Sequence, residues 1–171
     1  MTGSEGRNRK TAIRRAMDLL ARRDRFIGEL RSDLAKSGFE PAEIDEAVES
    51  LSERRLLDDP ALAARRVRDW RRAGRSNADC IARLRSKGAS RSVAEAAVHG
   101  TSDGSGEESD PELQAAINAV RKAVGPSKDR VPVPRLVGRL ARRGFRLDTI
   151  RAALRHSGLP DPSSLEPETD R

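Results

Sequence analysis

Residues 30–48 read LRSDLAKSGFEPAEIDEAV, and their pattern decides the fold because it occurs three times in this 171-residue chain. The same apolar positions and the same glycine return 106 residues later in residues 136–154, LVGRLARRGFRLDTIRAAL. A weaker copy lies 50 residues after the first, in residues 80–98, CIARLRSKGASRSVAEAAV. Repetition at this scale is typical of stacked supersecondary units, none of which buries its apolar face alone. The pattern therefore predicts a long surface instead of one catalytic pocket.

Each copy predicts a helix, a glycine stop and a second helix. Leu30 and Leu34 lie four residues apart and so share one face of a helix, and the apolar residues after the stop repeat this spacing. Gly38, Gly88 and Gly144 stand where a helix ends in a left-handed residue, a conformation that costs other L-residues about 1–2 kcal/mol. We therefore interpret the three glycines as structural.

A further amphipathic run precedes each pair of helices, so each unit is predicted to contain three helices. The apolar residues of these runs are Ile13, Ala16, Met17 and Leu20 in the first copy, Ala63, Val67 and Trp70 in the second, and Leu113, Ile117, Val120 and Val124 in the third. Two of the runs begin with Asp-Pro, at Asp59-Pro60 and Asp110-Pro111, which offers an N-cap carboxylate followed by proline at the first helical position. The pattern predicts nine helices in three triplets.

The predicted organisation of the chain follows from these units. Residues 100–109 are rich in Gly, Ser and acidic side chains, which is typical of a linker. The predicted segments are a disordered N-terminus (1–10), helical repeat 1 (11–58), helical repeat 2 (59–99), a flexible linker (100–110), helical repeat 3 (111–158) and a disordered acidic tail (159–171).

Composition and periodicity favour an all-α fold of three tandem three-helix repeats in an elongated module. Apolar residues fall on helical stripes, and runs with the period of two that strands require are missing. The sequence has no stretch of 18 apolar residues and no apolar run in residues 1–10, so we expect a cytoplasmic protein without a membrane span or signal peptide. The single cysteine, Cys80, is interpreted as a small buried hydrophobic residue, with a reactive thiol as the minor alternative.

Positive charge is concentrated in the second and third repeats. The chain carries a net charge of +7, but residues 61–99 alone carry +7 and residues 132–160 carry +6, whereas residues 161–171 carry −3. An arginine-rich face attracts polyanions, either nucleic acid or an acidic protein surface. The alternative is a solvated helical surface without a partner; the near absence of acid in residues 132–160 favours a partner.

Residues for catalysis or metal binding are scarce. His99 and His156 stand near predicted helix ends, where an imidazole favours the negative end of the helix dipole, and no Cys/His cluster has zinc spacing. Asp58-Asp59 could bind magnesium, but directly before Pro60 helix capping is the favoured interpretation. Trp70 either packs in the core of the second repeat or anchors an interface. We predict a protein that is not an enzyme, with no metal and no cofactor.

Taken together, these residues resemble the RecX family of recombination regulators over roughly residues 12–158. The matching positions are Arg25 with Glu29-Leu30, Leu34 and Gly38-Phe39; Leu57-Asp58-Asp59 with Leu62-Ala63; Leu84 with Lys87-Gly88; and Leu140 with Arg142-Arg143-Gly144-Phe145 and Ile150. The chain departs from the family pattern at Phe26, at Leu62, in the stretch Ser76-Asn77 with Asp79, and in the insert 100–109.

The resemblance implies a curved three-repeat module that binds the RecA recombinase filament on single-stranded DNA, and DNA phosphates with it, and inhibits RecA activity. It implies contacts with several RecA protomers and no catalytic step. We expect a monomer, because no long apolar stripe is left over for a second copy. Candidate RecA-binding or DNA-binding residues are Arg139, Arg142, Arg143 and Arg146, followed by Arg65, Arg68 and Arg72. The alternative is a sequence-independent DNA-binding protein that acts alone.

Overall fold

The computed structural model describes residues 11–100, 110–125 and 132–162, and this part of the chain folds into nine α-helices and no strands. The helices are α1 (Ala12–Leu20), α2 (Ile27–Lys36), α3 (Pro41–Glu53), α4 (Asp59–Arg72), α5 (Asn77–Ser86), α6 (Arg91–His99), α7 (Pro111–Val124), α8 (Val133–Arg142) and α9 (Leu147–His156). The predicted all-α fold of three-helix repeats is confirmed for these residues. The predictions for residues 1–10, 101–109 and 163–171 lie outside them, and the segment boundaries remain predictions.

The helices group into three units, each with its own apolar core. The first unit (α1–α3) buries Leu30 and Leu34 against Ala16 and Ala47. The second unit (α4–α6) and the third unit (α7–α9) bury the equivalent positions. Trp70 is half-buried against the second core, which favours packing there over an interface role.

The three repeated glycines stop the second helix of each unit as predicted. Gly38, Gly88 and Gly144 have φ angles of 84°, 90° and 84°, the left-handed region in which a Cβ is unfavourable. In the first unit the amide of Phe39, the next residue, returns to the carbonyl of Leu34 at 3.3 Å, which closes the turn.

Two local predictions are wrong. The cap of α4 is Asp58, whose carboxylate accepts from the Ala61 amide at 2.9 Å, and Asp59 is the first helical residue. On α1 the prediction is wrong only at Met17, which is 46% exposed. Ala16 is buried and Ile13 and Leu20 pack against the core as predicted, while Ala12 and Leu19 are also buried there.

A carboxylate joins each unit to the one before it. Asp59, at the start of α4, accepts the backbone N–H of Ile27 at the start of α2 at 3.0 Å. Glu112, in the first turn of α7, accepts the backbone N–H of Asn77 at the start of α5 at 3.3 Å. Ile27 and Asn77 are equivalent positions of the repeat, so the same donor is satisfied by the next unit in both cases.

A glycine turn completes each of these joints. A Cβ added to Gly28 in the first turn of α2 would collide with the carbonyl oxygen of Gly88, and a Cβ on Gly144 would lie 3.1 Å from that of Ala78 in the first turn of α5. In the second joint the Ser76 hydroxyl also donates to the carbonyl of Arg143. The end of α5 therefore meets the start of α2, and the end of α8 meets the start of α5.

Candidate polyanion-binding surface

Four of the candidate arginines lie together around the end of α8. Leu136 and Leu140 face the core, whereas Arg139 and Arg142 lie on the exposed side of α8. Arg143 caps the helix and Arg146 precedes α9 across the Gly144 turn. All four arginines are exposed. We call these residues together with Arg135 in the first turn of α8 the α8 ridge.

The other candidates share one face of α4. Arg65, Arg68 and Arg72 are exposed and follow the i, i+3, i+7 spacing of a helix face. Arg65 pairs with Asp24 of the first unit. This second group lies on a helix that packs mainly against α6 and α7, so the seven candidates occupy two separate helices.

The first and second units provide an internal comparison for the α8 ridge. Where the third unit has Arg135, the first has Glu29 and the second Asp79. In both units that acid is neutralised locally: Arg25 pairs with Glu29 at 3.1 Å, and Arg75 pairs with Asp79 at 3.1 Å. Because the fold accommodates an acid at this position twice, it does not require arginine there.

A second ridge position also carries arginine where the first unit has a paired acid. Arg139 replaces Asp33, which pairs with Arg25 in the first unit. Within the described residues, no ion pair includes any of the five ridge arginines. The exposed ridge therefore presents its positive charge to solvent.

The dipole of α8 favours some arginines of the α8 ridge and disfavours another. Arg142 and Arg143 lie at the C-terminal end of α8, where positive charge is favoured by about 0.3–1 kcal/mol whether or not a partner binds. Arg135 lies in the first turn, where the dipole favours an acid and disfavours arginine. Its presence there is not explained by helix stability. Arg135 is not among the binding candidates named from the sequence, although its repeat offset from the acids Glu29 and Asp79 distinguishes it.

Arg71, which belongs to the same basic run as Arg72, has a structural role. Its guanidinium is buried and donates to the Asn77 side chain at 2.8 Å and to the Val98 carbonyl at 2.7 Å. Glu112 accepts from the side-chain amide of Asn77 at 3.0 Å. Burial lowers the pKa of Arg71, against the attraction of Cys80 and Glu112. A count of the arginines in the sequence therefore overstates the number of exposed basic residues on α4 by one.

Reactive groups are few in the described part of the chain. No cluster of His, Cys, Asp or Glu there could hold a metal ion. Cys80 is fully buried, and burial raises the pKa of its thiol to about 11, which disfavours the nucleophilic thiolate. The same residues contain no helix with the length and apolarity needed to cross a bilayer.

These features define an all-α protein of stacked three-helix units with an exposed arginine surface. Comparison with known proteins identifies the family. The model for the first three-helix domain of RecX matches residues 12–51. Regulatory protein RecX of Halorhodospira halophila is 31% identical over 141 residues, which cover 81% of this chain and 83% of the relative. The chain belongs to the RecX family of regulatory proteins.

Solved structures support the fold at lower sequence identity. The crystal structure of RecX from Lactobacillus salivarius is 18% identical, with a TM-score of 0.67 over 85% of this chain and 93% of that one. A second crystal structure of regulatory protein RecX is 19% identical, with a TM-score of 0.61 over 81% of this chain and 67% of that one. The arrangement of three-helix units is therefore common to these proteins.

Proposed function

We propose that this protein binds the RecA recombinase filament on single-stranded DNA and inhibits its ATPase, strand-exchange and co-protease activities. It acts in the cytoplasm as a non-enzymatic regulator of homologous recombination, DNA repair and the SOS response, with no metal and no cofactor. Membership in a family of regulatory proteins supports this proposal.

The observation that carries the proposal is the arginine at position 135, with Arg139 one turn later. Both positions carry acids in the first unit, and Arg135 stands where the helix dipole disfavours it. A residue that the fold tolerates at a cost and does not need is best explained by a partner. That partner must supply negative charge, either as phosphate or as carboxylate.

A repeated module suits a repeated partner. Several units that each contact a different RecA protomer would bind with a high effective concentration once the first contact has formed. The α8 ridge and the α4 face (Arg65, Arg68 and Arg72) lie in different units and can supply two such contacts. We assign both to the filament, and we expect one monomer to span neighbouring protomers.

The alternative is a DNA-binding protein that acts without RecA, which exposed arginine alone would suffice to explain. The two functions differ in their dependence on salt. A protein that neutralises about six phosphates loses roughly a thousandfold in affinity between 50 and 200 mM salt. Binding to a filament through protein contacts as well as charge would decline less.

The deciding experiment measures ATP hydrolysis by RecA on single-stranded DNA while this protein is titrated from far below one copy per RecA protomer. The assay is run at a salt concentration at which the protein alone does not bind the same DNA, as measured by fluorescence anisotropy. We expect suppression at substoichiometric ratios. Suppression only at ratios that coat the DNA would contradict the proposal and favour the stand-alone DNA binder.

A further inference from the structure

An apolar cleft with a basic rim lies between the C-terminal ends of α7 and α9. Its volume is about 190 Å³, and Val120, Val124 and Leu159 supply apolar walls. Arg121 and His156 supply its polar lining, and both are exposed. The cleft therefore combines a small apolar socket with side chains that attract a carboxylate.

The chain that leaves α9 already folds back towards this cleft. Leu159 packs against the core of the third unit, and the Leu159 amide returns to the carbonyl of Leu154 at 3.0 Å. Asp161 then pairs with Arg155 at 3.3 Å and approaches Arg151 at 3.8 Å. The first acidic residue after α9 is thus held by basic side chains of α9 itself.

The sequence that follows matches the chemistry of the cleft. Residues 163–171 read SSLEPETDR and contain one aliphatic residue, Leu165, among the acids Glu166, Glu168 and Asp170. We propose that the acidic segment 163–171 is the occupant of the α7/α9 cleft, with Leu165 in the apolar socket and the three acids against basic side chains of the third unit.

The distances permit this docking. Leu165 follows Pro162 by three residues, which span at most about 11 Å. With Leu165 in the cleft, the six residues that follow it can reach about 20 Å, whereas α9 from its end at His156 back to Arg146 measures about 15 Å. Attachment to the same chain gives the acids a high effective concentration at the ridge. A segment docked in the cleft would therefore compete with an external polyanion for the α8 ridge; this consequence, unlike the docking, rests on the proposed function.

Docking is tested on the full chain without RecA. Methyl resonances of Val120, Val124 and Leu159 are compared between the parent protein, the L165S variant and the triple variant E166Q/E168Q/D170N. We expect both variants to shift these resonances, because the socket empties or the acids no longer hold the segment. The control is L56S, which makes the same change at an exposed leucine of the first unit and should leave them unmoved.

The consequence is tested with a single-stranded oligonucleotide as the polyanion probe at about 50 mM salt. We expect the triple variant to bind it about tenfold more tightly than the parent, since three weak ion pairs no longer compete. Unchanged methyl resonances in both variants would overturn the docking and would favour an external acidic peptide as the ligand of the cleft. Shifted resonances with unchanged oligonucleotide affinity would overturn the competition alone. Neither result depends on whether RecA is the partner.

Discussion

Gly38 and Gly88 occupy the same position of the repeat, with φ angles of 84° and 90°, but their surroundings differ. A Cβ on Gly38 would meet nothing within 4 Å, whereas one on Gly88 would collide with the backbone of Gly28 and Glu29. The first glycine is required by its own backbone conformation alone. The second is required also by the joint between the first two units.

We expect G38A to lower the free energy of unfolding by about 1–2 kcal/mol, the cost of a left-handed residue with a Cβ. G88A should cost about 1–3 kcal/mol more, because the joint must open to admit the methyl group. Urea denaturation of the two variants, which carry the same chemical change, measures the difference. Equal losses would show that the contact between Gly88 and α2 contributes nothing to stability.

Asp59 combines two opposed effects at one carboxylate. Burial raises its pKa above the ordinary value, and the hydrogen bond from the Ile27 amide lowers it by less. The folded state therefore holds the proton more tightly than the unfolded state does. The free energy of unfolding therefore falls as the pH rises from the ordinary pKa of Asp59 to the raised value. Above the raised pKa the loss is complete.

Substitution at Asp59 separates the hydrogen bond from the charge. D59A removes the acceptor and should cost about 1 kcal/mol of unfolding free energy. D59N keeps an acceptor oxygen for the Ile27 amide without the buried charge, so it should cost less unfolding free energy at neutral pH. Its stability relative to the parent should increase as the pH rises from the ordinary pKa of Asp59 to the raised value. Denaturant titrations at several pH values measure this; a relative stability of D59N that falls with pH would contradict the assigned sign.

At the scale of the element, α4 combines buried structural residues with exposed basic ones. Asp59 lies in the joint to the first unit, and Arg71 bonds to Asn77, whose side chain donates to Glu112 of the third unit. Arg68 and Arg72 are exposed. Adjacent arginines at 71 and 72 therefore have different roles, because a step of one residue turns the helix by about 100°.

The pair of variants R71A and R72A makes this distinction measurable. R71A leaves the Asn77 side chain and the Val98 carbonyl without their buried donor and should cost about 2–4 kcal/mol of unfolding free energy. R72A should change stability by less than about 0.5 kcal/mol and weaken binding to RecA filaments instead. Thermal unfolding and a filament-binding assay on both variants test the assignment. Destabilisation by R72A equal to that by R71A would show that both residues are structural.

At the scale of the whole molecule, the three units share a fold and differ in charge. On the second helix of the first unit, Glu29 and Asp33 are acidic and pair with Arg25. The equivalent positions of the third unit are Arg135 and Arg139 of the α8 ridge. Because the first and third units are the two ends of the described stack, the two ends present different surface charge to a partner.

Reversal of ridge charge tests whether the position or only the amount of charge matters. R139E/R142E/R143E should retain the parent helicity by circular dichroism and lose RecA-filament binding by at least about tenfold, since the ridge no longer attracts anions. R14E/R22E/R54E makes the same change in net charge at exposed positions of the first unit and should retain binding. Equal losses in the two variants would indicate that net charge alone governs binding.

The repeat spacing and helix periodicity by themselves determined the fold class, because glycine stops and apolar stripes depend on local chemistry. Gly38, Gly88 and Gly144 were identified in this way, and so was the burial of Cys80. The basic character of the third unit also follows from counting residues. These properties require no knowledge of which helix packs on which.

Only the tertiary structure decided which charges are available. Arg71 counts as basic in the sequence but is buried, and Arg25 and Arg75 are paired with acids of their own units. Asp59 resembled a cap for its own helix but accepts the first amide of α2, 32 residues earlier. The burial of Arg71 and the bond to Asp59 depend on partners 27 and 32 residues away along the chain, which no local pattern encodes.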